Sequence, residues 1–167
     1  KIRTAAADAN GEKEFNAAGK LTIVDKVTYE NLIPGTKYTV KGTLMDKDAG
    51  KAAVDASGKE ITAEATFTPS TASGSVNLSF TFNASNMEGK SLVAFEKLFS
   101  GEAEIAGHED FEDKDQTVTF PKVRTTAHSE KGDDELLAAN PIKLIDTVTY
   151  ENLIPGKSYT LLGTVMD

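Results

Sequence analysis

The 167-residue chain contains no cysteine and no tryptophan, and only four tyrosines. Without cysteine there is no disulfide, no thiolate metal site and no cysteine nucleophile. The scarcity of aromatics argues against an exposed stacking platform for sugars or bases. No basic excess is present either: the formal net charge is −8. Nucleic-acid phosphates need a basic surface, so a nucleic-acid partner is excluded, and the acidic exterior reads as well solvated and non-sticky. These residues include no apolar run long enough to span a membrane, no signal peptide and no lipidation motif.

The chain does contain a copy of itself. Residues 122–167 repeat residues 1–46 at a constant offset of 121, without a gap. DKVTYENLIPG (Asp25–Gly35) returns as DTVTYENLIPG (Asp146–Gly156), with one change in eleven positions. A period of this length means tandem copies of a whole domain and not a solenoid of small units. A unit of 121 residues can bury its own core. The expected organisation is a complete repeat over 1–121, followed by the amino-terminal part of a second, truncated repeat over 122–167. The boundary near Pro121 leaves almost no linker, which predicts a stiff joint and a rod-like array.

The patterning is β throughout. KLTIVDKVTYENL and TKYTVKGTLMD alternate with period two, joined by the turn residues Pro34 and Gly35. EITAEATFT, SVNLSFTFN, KSLVAFEKLF and QTVTF follow, separated by segments rich in Gly, Ser, Asn and Asp. Short strands at this spacing predict an antiparallel sandwich or barrel.

Strand parity then exposes polar residues on apolar faces, because residues i, i+2 and i+4 share a face. Asp25 sits between Ile23 and Val27, and Asp146 stands in the corresponding place between Leu144 and Val148. Gln116 shares a face with Val118 and Phe120, and Thr4 with Ile2 and Ala6. Glu96 interrupts the apolar run SLVAFEKLF. Singly, such residues are ordinary hydrogen-bonded polar groups in a core. Thr4, Asp25, Glu96 and Gln116 together, on strands able to be neighbours, favour a site, since carboxyls in apolar settings are where chemistry tends to be found. His108, expected in a loop eight residues before Gln116, can reach the same end of the fold.

The segments LVAFEKL, DKVTYENLIPGTKYTVKGTLMD and HEDFEDKDQTV resemble the VaFE-type repeat of Gram-positive surface adhesins. That resemblance implies immunoglobulin-like antiparallel β-sandwich modules in tandem, each crosslinked by an intramolecular ester between a threonine and a glutamine. By position it assigns the crosslink to Thr4 and Gln116, and assisting roles to Asp25, Glu96 and His108. The second copy offers Thr125 or Thr126, but the first has only Thr4 in Arg3-Thr4-Ala5. Thr125 is thus the counterpart of Thr4, and Asp146 that of Asp25.

A threonine hydroxyl is a weak nucleophile and an amide a weak electrophile, and enforced contact eases both problems. A base must take the hydroxyl proton and an acid must help ammonia leave. The two buried carboxyls are expected to share a proton, leaving a neutral acid to face the developing oxyanion, with His108 as proton shuttle. Such a group reacts once, so no turnover enzyme and no cofactor are expected. The implied setting is an extracellular, cell-wall-anchored protein whose partners are neighbouring repeats and, through other domains, a host surface ligand. The alternative is a non-crosslinked or isopeptide-linked module that binds a host glycan or protein. An isopeptide needs an inward lysine, and Lys26 and Lys41 lie on polar parity. The acidic stretch GHEDFEDKD lacks the glycine-centred spacing of a calcium loop, so no metal is expected there.

Overall fold

A computed structural model describes residues 1–132 and 141–166. The expected all-β fold is present: two antiparallel sheets face each other over residues 1–121, and a two-stranded sheet follows. This is a sandwich and not a closed barrel.

In the first sheet, β3 (Lys20–Tyr29) is central. The strand β7 (Gly74–Asn83) runs along one edge of β3, and β1 (Ile2–Arg3) and β2 (Ala6–Ala7) lie in line along the other. Reciprocal backbone bonds between Ala5 and Lys26 (3.3 and 3.0 Å) carry the pairing across the gap. The amino-terminal segment therefore follows β3 in one register, and Thr4 sits inside it.

The second sheet is built on β4 (Tyr38–Asp46) and β8 (Ser91–Ser100), which pair along their length. Beyond β4 lie β5 (Lys51–Ala52) and β6 (Thr62–Phe67). Along the free edge of β8 lie β9 (Ala103–His108) and β10 (Thr117–Thr119), one after the other.

Alternation builds the core. Ile2, Ile23, Val27, Leu78 and Phe80 of the first sheet meet Val40, Leu44, Leu92, Leu98 and Val118 of the second, all buried. Each such aliphatic or aromatic side chain contributes about 1.5–3 kcal/mol on burial, which is what holds two otherwise polar ribbons face to face.

Neither the short β5 nor β9 was expected, and β9 bears on the site. His108 is not in a loop; it is the last residue of β9, paired with β8. The segment AEIAGH has weak strand propensity, and as an outer strand it leaves Ile105 about half exposed, so no apolar alternation marks it.

The second unit repeats the first pairing. Its strands β11 (Lys122–Ser129) and β12 (Leu144–Glu151) set Arg124 opposite Thr149 and Ala127 opposite Asp146, as Arg3 faces Thr28 and Ala6 faces Asp25. The turn that follows also repeats. Asn31 and Asn152 take left-handed backbone angles (φ 61° and 59°), and a tyrosine hydroxyl accepts the Ile33 or Ile154 N–H in each copy.

Candidate functional site

Thr4, Asp25, Glu96 and Gln116 are all buried, as strand parity predicts for Thr4, Asp25 and Gln116 and as the apolar run around Glu96 predicts for it. Thr4 and Gln116 come from the edge segments of the two sheets, where the sandwich would otherwise be open, and Asp25 and Glu96 from β3 and β8 beside them. The backbone closes this gap directly where the Ala6 N–H donates to the Asp115 carbonyl (2.9 Å), while the Ala94 N–H holds Gln116 on β8 by donating to its carbonyl (3.1 Å). The loop between β2 and β3 straps the same edge. Thr119 N–H bonds the Lys13 carbonyl, Phe15 N–H bonds the Thr119 carbonyl, and the Lys13 ammonium donates to the carbonyls of Lys114 and Asp115.

Glu96 is the hub. Its Oε2 accepts from the Thr4 hydroxyl at 3.1 Å and from the Gln116 amide nitrogen at 2.6 Å. One carboxylate oxygen thus holds the hydroxyl and the amide together. The remaining oxygens, Glu96 Oε1, Gln116 Oε1 and both oxygens of Asp25, are sealed from solvent and make no well-formed hydrogen bond; the Ala5 backbone acts on Asp25 without reaching bonding geometry. Buried acceptors without donors cost free energy, and a proton held between Glu96 and Asp25 relieves the cost for that pair. The electrostatics agree. Burial, then the charge of Asp25, pushes Glu96 up to about 9, against the downward pull of its bonds from Gln116 and Thr4. Burial also raises Asp25, opposed by its contact with Glu96 and by the charges of His108 and Lys13. Through neutral pH the pair therefore retains one proton.

The apolar environment behind these shifts has a specific cause. Gly42 of β4 is directly opposite Glu96 on β8, and Leu78 of β7 is directly opposite Asp25 on β3. A Cβ at Gly42 would lie 2.3 Å from Leu78 Cδ2 and 2.6 Å from Phe80 Cζ. The absent side chain lets Leu78 and Phe80 press onto the second sheet beside Glu96, which excludes water from both carboxyls.

His108 faces Glu96 across the β8–β9 ladder and is half-buried. Its Nε2 lies 2.8 Å from Asp113 Oδ2, and that carboxylate also accepts the Asp115 N–H at 2.8 Å. Burial works upward on Asp113, but the His108 bond and backbone donors hold it below the usual carboxylate range. The acidic stretch thus orients the histidine and shapes the turn into Gln116. Sequence reasoning passed over Asp113, Gly42 and Lys13. A glycine inside a strand is a signal of close approach, and Asp113 stands five residues from His108. Nothing in the sequence marks Lys13.

In the second unit, Thr125 and Asp146 occupy the positions of Thr4 and Asp25 in the same register, but both are exposed.

A β-sandwich that encloses a hydroxyl, a primary amide and two carboxyls at its closing edge belongs among domains that crosslink their own strands. Residues 1–120, and again 121–167, match the T-Q ester bond containing domain, and the chain belongs to that family. Two crystal forms of a bacterial adhesin from Mobiluncus mulieris, which contains intramolecular disulfide, isopeptide and ester bond cross-links, have the same fold. One superposes with a TM-score of 0.60 at 14% identity, covering 90% of this chain and 73% of the adhesin chain. The other gives 0.58 at 15% identity, covering 89% and 74%. No curated protein sequence matches.

Proposed function

We propose that residues 1–121 form a stalk module of a Gram-positive, cell-wall-anchored surface adhesin, welded by an ester between Thr4 Oγ1 and the side-chain carbonyl carbon of Gln116. The observation that carries this reading is the single Glu96 oxygen that holds both reacting groups. Thr4 gives its proton to Glu96 Oε2 as Oγ1 attacks, and a carbon–oxygen bond forms. The proton already shared with Asp25 shifts toward Asp25 at the same time, so neither carboxyl carries two. The tetrahedral intermediate collapses when Oε2 returns the proton to the Gln116 nitrogen, which departs as ammonia. Threonine loses one hydrogen, glutamine loses an amino group, and the balance closes without a cofactor.

Enforced contact of the reactants supplies effective molarities of about 10⁵–10⁸ M in favourable intramolecular cases, and proton transfer by positioned groups about 10²–10⁴-fold. His108, fixed by Asp113, is the candidate that relays protons between the pair and solvent. The reaction occurs once per molecule, so the module is not an enzyme acting on a substrate. The joined strands are the first and last of the unit, where tension along a tandem array would enter and leave. Lys26 and Lys41 are exposed and do not supply an isopeptide donor in the core. Proteolytic digestion tests the assignment. A peptide joining the Thr4 and Gln116 segments is expected, absent from Thr4→Ala and Gln116→Ala; a crosslink mapped to other residues would overturn it.

A further inference from the structure

The first unit touches the second through a small set of polar contacts that neither the crosslink chemistry nor the core of the first unit requires. Glu14 lies in the strap between β2 and β3, yet its side chain is only 9% exposed. Both of its oxygens are occupied from the next unit: Lys157 Nζ donates to Oε2 and the Tyr159 hydroxyl to Oε1, each at 2.6 Å. Burial works upward on the Glu14 carboxyl, and these two donors bring it net below its ordinary value. Tyr159 is itself held, because its hydroxyl accepts the Ile154 N–H at 2.9 Å. A second contact lies beside it. Asn152, in its left-handed conformation, donates its side-chain amide to the Gly89 carbonyl. A Cβ at Gly89 would come within 3.3 Å of Glu151 and of Lys122, so the turn there is shaped for close approach.

The receiving surface is tied to the crosslinked strand. Glu14 bridges Thr119 in parallel, and its neighbours Lys13 and Phe15 bond the Thr119 backbone. Only Phe120 and Pro121 separate β10 from β11. We infer that the turn over residues 152–159 is a docking element encoded in the repeat, which reads Glu14 and the Gly89 carbonyl of the preceding module and fixes the angle between consecutive modules. The first unit carries a related turn at 31–38, with Asn31 in the same conformation, Ile33 68% exposed and the Tyr38 hydroxyl on the Ile33 N–H, but with Thr36 in the Lys157 position and the Tyr38 ring packed in the core. Lys37 stands one residue beyond the position that Lys157 takes in the second copy. The partner that fits this turn is a preceding module of the same kind.

The inference rests on the tandem-stalk reading, and its test separates the two. The absence of native cysteine allows spin labels at Glu102→Cys and Thr126→Cys, both exposed positions on different units. In the full chain, double electron–electron resonance is expected to give one narrow distance distribution. Glu14→Ala and, separately, Asn152→Ala should at least double its width. Lys157→Ala added to Glu14→Ala should broaden it no further, because the two residues share one contact. Widths that stay the same in all variants, or a wild-type distribution already as broad, would overturn the inference. Intact mass on the same samples reports the ester separately, so loss of the joint with the ester intact, or the reverse, is read directly. With a further copy of residues 1–121 joined in front at the native spacing, the Asn31 and Ile33 amide resonances should shift; unchanged resonances would overturn the extension to the first unit.

Discussion

Thr4 and Asp25 are sealed inside the first unit, whereas Thr125 and Asp146 lie exposed on a two-stranded sheet with the same residues in the same register. The pairing itself is shared: the Thr28 hydroxyl accepted by the Arg3 carbonyl recurs as Thr149 on Arg124. What differs is the second sheet. It brings Glu96, Gln116 and Gly42, and with β7 of the first sheet, whose Leu78 and Phe80 press against Gly42, it removes water. The amino-terminal hairpin thus places a hydroxyl and a carboxyl, and the closing strands turn them into a reactive pair.

The comparison can be broken most severely at the hub. Glu96→Gln leaves a side chain of similar size without a proton acceptor, so ester formation should slow by about 10²–10⁴-fold or stop. A time course of intact mass after refolding would measure it, and a wild-type rate would reduce Glu96 to a structural role. Removing the product instead of the catalyst comes next. Thr4→Ala and Gln116→Ala should fold, but without the covalent loop they should lose about 4–5 kcal/mol by the chain-entropy model. A lower midpoint in denaturant titration would register the loss.

Closure itself is sharpened by Gly42→Ala. The added methyl meets Leu78 and Phe80, and overpacking of this kind costs about 1–3 kcal/mol. The sheets should part slightly beside Glu96, so reduced stability and slower crosslinking should appear together. A variant that is destabilised but crosslinks at full rate would separate packing from activation.

A further effect concerns pH and is read in the uncrosslinked Thr4→Ala protein. Glu96 is raised in the folded state, so the folded chain binds a proton that the unfolded chain has released. Stability should therefore fall as pH rises from the ordinary glutamate range toward about 9, and the slope should flatten in Thr4→Ala with Glu96→Gln. Melting temperatures at pH 5, 7 and 9 would test it. A rise across that range would mean that the pair is not a shared-proton acid.

Much of this site is legible from alternation alone. A two-residue period is rigid, so Ile2-Arg3-Thr4 and Leu21 through Tyr29 leave no choice about which side chains face in. The repeat supplied the domain boundary and chose Thr125 over Thr126. Interactions between distant segments could not be read in the same way. Gly42 matters because β4 lies beside β8 and opposite β7, and Lys13 matters because its loop crosses the last strand. The β9 strand was missed because an exposed outer strand of Ala, Gly and Glu lacks the apolar rhythm that marks the others, and His108 was misplaced with it.

Intact mass of the folded, wild-type chain tests the central claim most directly. One ester within the first unit releases one ammonia, so the mass should fall short of the sequence value by roughly 17 Da. The deficit should be single, since Thr125 has no second copy of Gln116 within these residues. A full, unmodified mass from folded protein at neutral pH would contradict the account.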